Sequence, residues 1–188
     1  MKLQIQSKPL SGRGRILCLL NILMIILMFA AGLYFYWILP QEVPTHFDIS
    51  GNPDAYGNKL ELLLLPFAFS LAPLVVLLFV RFRFTLINRF PYLINLPAFM
   101  MRVNQLPPEE QPLWINRFFE YLLGFDLFIG IYLLILEIII LYSIRSGSIP
   151  PWFMAFVIVF PLIGLGLFFY SLHRLNMALD RRLESLLK

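Results

Sequence analysis

Four apolar runs, near residues 16–39, 60–80, 118–143 and 152–172, dominate the chain. A bilayer core of about 30 Å takes roughly 20 helical residues to cross, and each run has that reach. The runs are continuous rather than alternating, and longer than the strands of about 9 to 11 residues that build membrane barrels. Helices close their backbone hydrogen bonds internally, as lipid requires. The pattern therefore predicts an all-α integral membrane protein, a four-helix transmembrane bundle with a connecting loop between the first two helices. Composition agrees: of 188 residues, 60% are hydrophobic and 14% charged, against about 25% charged in soluble domains.

Basic residues orient the bundle. Lys2, Lys8, Arg13 and Arg15 precede the first run; Arg81, Arg83, Arg89, Arg102 and Arg117 lie between the second and third; Arg174, Arg181, Arg182 and Lys188 follow the fourth. Those are 13 of the 15 Lys and Arg, leaving Lys59 and Arg145 for the other two connections. The positive-inside rule then places both termini in the cytoplasm of a multi-pass cell-membrane protein and residues 40–59 outside. Tyr34, Tyr36, Trp37, Tyr142 and Trp152 suit an outer headgroup belt. The chain divides into a basic cytoplasmic tail (1–15), a two-span region (16–80), a cytoplasmic interfacial loop (81–117), the third and fourth spans (118–172) and an amphipathic tail (173–188).

A net charge of +4 spread over short groups forms no nucleic-acid stripe. The single cysteine, Cys18, permits neither an intrachain disulfide nor a thiolate metal cluster. Ala30, Ala31, Gly32, Gly164 and Gly166 are read as helix-packing residues. Pro66, Pro73 and Pro161 are expected to bend their spans. The stretch 85–116, broken by Pro91, Pro97, Pro107, Pro108 and Pro112 yet carrying Phe90, Tyr92, Phe99, Met100 and Met101, is expected to lie along the headgroups. Leu175, Leu179, Leu183, Leu186 and Leu187 recur at helical spacing beside Arg174, Arg181, Arg182 and Lys188. That face suits an anionic leaflet, the solvated end of a helix, or a soluble partner.

The first outer loop is the most patterned segment. Pro40 and Pro44 fix backbone angles, Gly51 and Gly57 are read as positive-φ turn positions, and Asp48, Asn52 and Asp54 can cap turns. An ordered, folded-back loop is expected. Its elements Leu39-Pro40, Pro44-Thr45-His46-Phe47 and Gly51-Asn52-Pro53-Asp54-Ala55-Tyr56-Gly57 closely resemble the uncharacterised domain at the N-terminus of SdpI-type immunity proteins (domain of unknown function 1648). The resemblance covers about residues 20–80, and this chain looks like a short standalone member. It implies a role like that of the named immunity proteins, which protect their producer from a secreted toxin and signal by holding a repressor at the membrane. It maps the family's loop positions onto Pro44, Thr45, His46, Phe47, Gly51, Asp54 and Gly57.

His46, Asp48 and Asp54, with Glu42 nearby, have the donor types for zinc or manganese. The preferred reading has them satisfying turn amides and one another. A calcium hand is disfavoured, since Pro53 stands where the sharp-turn glycine belongs and Lys59 where the bidentate glutamate belongs. The sequence holds no nucleophile elbow, phosphate-binding glycine loop or paired-histidine motif, so an enzyme would rest on His46 and its carboxylates alone.

Within the third span, Asp126 and Glu137 are eleven residues apart, which returns them to within about 20° on one helical face. Gly130 lies between. Isolated acids in lipid turn inward, either as a proton or cation relay or as packing contacts, with Asn21 a candidate partner. Glu120 beside Arg117 reads as an interfacial ion pair. Three functions follow: a non-enzymatic protein with an external recognition loop for a peptide or small ligand, formed by Pro44 to Asp48, Gly51, Asp54 and Gly57; a transporter or relay through Asp126 and Glu137; and a metal-dependent membrane enzyme using His46. The first is preferred, with membrane lipids and a cytoplasmic protein as partners and no cofactor.

Overall fold

A computed structural model describes residues 5–90 and 97–187. Lys2, Pro91, Tyr92 and Lys188, used above for orientation and for the interfacial loop, lie outside the described residues. The elements run α1 (Gly12–Ile38), β1 (Glu42–Phe47), β2 (Pro53–Asn58), a 3₁₀ turn (Lys59–Leu63), α2 (Leu64–Arg89), α3 (Pro97–Val103), α4 (Gln111–Ser146) and α5 (Phe153–Leu186). Among them α1, α2 with its leading turn, α4 and α5 are long and apolar enough to cross a membrane. The all-α membrane class holds, and an ordered hairpin fills the connection between α1 and α2.

Helix ends follow local chemistry. Ser11 caps α1, its Oγ accepting from Gly14 N at 3.2 Å. Pro112 sits in the first turn of α4, where a missing N–H breaks no bond. Pro66 sits likewise near the start of α2, so of the three prolines expected to bend spans only Pro73 and Pro161 are inside helices. Gly32 and Gly164 are buried against Pro66 and Phe128, whereas Ala30 and Gly166 are exposed and do not pack.

The described residues fall into two compact units. The terminal unit comprises those within Met1–Leu19, Val75–Phe125 and Leu165–Lys188. Its core joins Phe84, Ile87, Phe99, Val103, Ile115, Phe119, Leu123 and Leu179. Two expectations are corrected here. The stretch 81–117 is not a single loop: α2 continues to Arg89, α4 begins at Gln111, and Phe99 and Val103 of α3 are buried. At 36 residues, α4 is about 54 Å long and outruns a bilayer core. The tail after residue 173 continues α5, and its leucine face is not wholly free for lipid, because Leu175 and Leu179 belong to this core.

Polar contacts lock the same unit. Arg83 is buried, with Nε donating to Asn116 Oδ1, Nη1 to Val80 O and Nη2 to Lys8 O, each at 2.7 Å. Asn116 Nδ2 also donates to Pro9 O at 2.8 Å. Asn88 exchanges two hydrogen bonds with the backbone of Ile5. These contacts fasten the N-terminal segment across α2 and α4. Arg182 pairs with Glu110, and this hydrogen bond holds the Glu110 carboxyl below its usual range. Replacing Arg83 by Leu leaves the buried Asn116 Oδ1 without its donor, at about 1–3 kcal/mol. We expect Arg83→Leu to lower the thermal midpoint in detergent and expose residues 5–11 to protease, with Arg83→Lys recovering little because one ammonium cannot serve three divergent acceptors. An unchanged midpoint and cleavage pattern would refute this account of the lock.

Candidate functional site

The hairpin unit comprises Leu20–Leu74 and Asp126–Gly164. β1 and β2 pair antiparallel, from Glu42 opposite Asn58 to Phe47 opposite Pro53, with register shifts on either side of His46. Asp48 builds the connecting turn: its Oδ1 accepts from Ser50 N and Asn52 N, both at 2.8 Å. Gly51 has φ 82° in that turn, as expected. Gly51 O also accepts from Ile149 N at 3.0 Å, so the hairpin tip rests on the connection between α4 and α5.

Gly57 does not have the expected positive φ. It lies in β2 opposite Val43, and the reason for glycine is space: a Cβ would stand 2.8 Å from Thr45 Cγ2 and 3.0 Å from Glu61 Oε1. The strand therefore lies flush against the Thr45 bulge and the 3₁₀ turn. Asn58 caps that turn by accepting from Leu60 N at 2.9 Å. Lys59 Nζ reaches Leu39 O at 3.1 Å and sits 4.8 Å above the Tyr36 ring, closing the end of α1.

Beneath the hairpin, Val43 is fully buried with Phe35, Leu39, Leu62, Leu141 and Ile144. Beside this cluster opens a cleft of about 270 Å³. Pro44, Thr45 and Phe47 form one wall, Glu61, Leu62 and Leu65 another, and Ile140, Ser143 and Ile144 of α4 with Ile149 and Phe153 the floor. The Ser143 hydroxyl is buried and has no hydrogen-bond partner. A helical serine ordinarily bonds back to the preceding turn. This one has no such bond, although Ser143 is among the residues that line the cleft. Ser143, Glu61 and the apolar floor carried no motif and escaped the sequence reading; only the fold brings them under the hairpin.

The expected loop residues thus divide. Pro44, Thr45 and Phe47 line the cleft; Asp48 and Gly51 make the turn; Gly57 allows close approach. His46 Nδ1 lies 2.5 Å from Asp54 Oδ1, an exposed pair on the outer side of the hairpin. Asp48 is occupied by amides and Glu42 sits at the opposite end of the strands. Among the described residues, no three His, Cys, Asp or Glu side chains are grouped to hold a metal.

Asp126 and Glu137 both face inward, as the shared face requires. Neither Glu137 carboxylate oxygen nor Asp126 Oδ2 has a hydrogen-bond partner, and Glu137 is packed against Gly32 of α1. Eleven residues of helix separate the two acids by about 16 Å, and Met24 approaches Gly130 between them. Asn21 is fully buried on α1. Glu120, in the terminal unit, does not pair with Arg117: its Oε1 accepts from Ser11 N at 3.1 Å, while Arg117 lies over the Trp114 ring.

Residues 23–69, which carry the later part of α1, the hairpin and the start of α2, match the model of a family described as a domain of unknown function, DUF1648. An uncharacterised protein of Archaeoglobus fulgidus is 39% identical over 184 residues, 96% of this chain and 99% of the relative. The chain belongs to the DUF1648 family. No solved structure matches it. The hairpin that distinguishes this DUF1648 protein depends on close strand packing, so Gly57→Ala should cost about 1–3 kcal/mol by overpacking. Adding Thr45→Ser removes the methyl in the way and should return part of that loss. Thermal unfolding and the rate of proteolysis between residues 40 and 59 read both effects. Equal stability of Gly57→Ala and the natural protein would contradict the packing role.

Proposed function

We propose that this DUF1648 protein is a non-enzymatic receptor of the cell membrane, with both termini cytoplasmic and the hairpin outside, that recognises a small, largely apolar ligand or peptide side chain in the cleft under the hairpin. The unpartnered Ser143 hydroxyl on the floor of an apolar cleft carries this reading. Sites of this kind combine an apolar lining with a few placed polar groups that fix orientation. Here Ser143 offers one hydrogen bond from the floor, and Thr45 and Glu61 offer polar atoms at the wall. The charge bias of the connections supports the orientation. A ligand seated against Pro44, Thr45 and Phe47 would touch both the hairpin and α4, and so could couple outer occupancy to a helix end. Protection against a secreted peptide, as in the immunity proteins that the loop resembles, is one use of such a receptor.

Two measurements test this. In a Cys18→Ala background, Ser50→Cys at the hairpin tip should react with a membrane-impermeant maleimide in intact cells, and Ser185→Cys only after lysis. In cells lacking the protein, challenged with secreted peptide fractions, the natural chain should restore growth. Ser143→Val, which narrows the cleft and removes its hydroxyl, should shift the protective dose by on the order of tenfold. Labelling with the reverse sidedness, or full protection by a normally inserted Ser143→Val variant, would defeat the proposal.

A second reading is favoured by one observation, the buried Glu137 carboxyl with neither oxygen bonded. Such a group inside a span marks a cation or proton path by default. Glu137→Gln should then abolish pH-driven flux in proteoliposomes while leaving insertion intact. Flux unchanged by that substitution, or absent from the natural protein, removes the relay.

A further inference from the structure

In the terminal unit, α1, α4 and α5 enclose a second and larger pocket, about 850 Å³. Arg13, Arg117, Arg174 and Arg181 all line it, together with His173 and Glu120. Arg174 and Arg181 are seven residues apart and so project from one face of α5 two turns apart. Arg13 leans over the Tyr121 ring at 5.7 Å and Arg117 over Trp114 at 4.6 Å. Aromatic faces thus hold two of the four guanidinium planes.

Among the described residues, no carboxylate stands within 4.0 Å of any of these four arginines. Three of the acids near these helix ends are engaged elsewhere. Glu120 is buried and accepts from Ser11 N, Asp180 pairs with Arg102, and Glu110 pairs with Arg182. Four arginines therefore line one concavity with a single carboxylate in its lining, and that carboxylate is directed to the start of α1. The arrangement is suited to a bound anion with several acceptor oxygens, for which guanidinium groups are the preferred partners.

We propose that this pocket binds the phosphate of an anionic ligand, held among Arg13, Arg117, Arg174 and Arg181. The phosphodiester of a membrane phospholipid and a free phosphate share this chemistry. Continuity with the apolar surface favours the lipid. Tyr170 at the pocket is exposed, and Leu167 and Phe169 just before it on α5 present apolar side chains outward, where acyl chains would lie. Basic pockets between spanning helices on the cytoplasmic side take anionic headgroups in this way.

The test uses the full chain in a neutral detergent, titrated with phosphatidylglycerol, with phosphatidylcholine or with inorganic phosphate, and read by thermal midpoint and native mass spectrometry. The double variant Arg174→Gln/Arg181→Gln is compared with Arg15→Gln/Arg89→Gln, which removes equal charge from exposed sites elsewhere. Binding of phosphatidylglycerol should be about thirtyfold weaker in the first variant and nearly unchanged in the second. Phosphatidylcholine should bind poorly. Response to the anionic lipid alone assigns the pocket to a headgroup in its membrane. Response to inorganic phosphate, lost in the same variant, assigns it to a soluble phosphate-bearing ion. Equal weakening in both double variants would show only diffuse charge attraction and overturn the site. So would the absence of any response to lipid and phosphate in a natural protein whose helix content is intact.

Discussion

Burial of apolar surface from water cannot be what assembles the four long helices, because most of their apolar side chains point outward. In the most apolar stretch of α5 only 6% of residues are buried, and in that of α1 17%. The exception is α4, at 39%. α4 contributes inward residues to both units: Ile115, Phe119 and Leu123 in the terminal unit, Glu137, Leu141 and Ile144 in the hairpin unit. In lipid such association rests on close packing and on polar groups that find partners. Gly32 and Gly164 provide the close approach. Arg83 with Asn116, and Lys59 with the end of α1, provide the partners.

That division of labour explains which features were legible in the sequence. The spans were, since their length and continuity answer to a bilayer and to little else. The inward face of Asp126 and Glu137 was legible too, from helical periodicity alone. Helix ends beyond the bilayer were not. Residues 81–117 mix prolines with aromatics, and nothing local distinguishes an interfacial loop from helix ends folded into a core. The difference lies in Phe84, Phe99 and Ile115 meeting one another, a long-range fact. Glu120 was misassigned for a related reason. Arg117 is near in sequence, but the amide of Ser11 reaches the carboxylate first.

The hairpin shows the same limit at smaller scale. Its order could be read from prolines, glycines and turn-capping acids, and Asp48 and Gly51 behave as their chemistry suggests. Gly57 does not. Glycine suits a left-handed backbone and also a place with no room for a methyl, and sequence cannot tell these apart. Here the second applies, because the bulge at Thr45 directs a methyl at the neighbouring strand. The tight hairpin can lie on Val43 and Phe47 and still leave a cleft beside them.

The region matched by the family model, residues 23–69, falls wholly within the hairpin unit. It supplies the hairpin wall of the cleft through Pro44, Thr45 and Phe47, and the adjoining wall through Glu61, Leu62 and Leu65. The floor comes from elsewhere in the chain: Ile140, Ser143, Ile144, Ile149 and Phe153. On the proposed reading, the DUF1648 segment of this chain is set over a floor that its later helices complete. Among the described residues, the buried hydroxyl of Ser143, which has no hydrogen-bond partner, belongs to that floor. Ligand choice would then be written mainly in α4 and its following connection, and two proteins with near-identical hairpins could recognise different molecules.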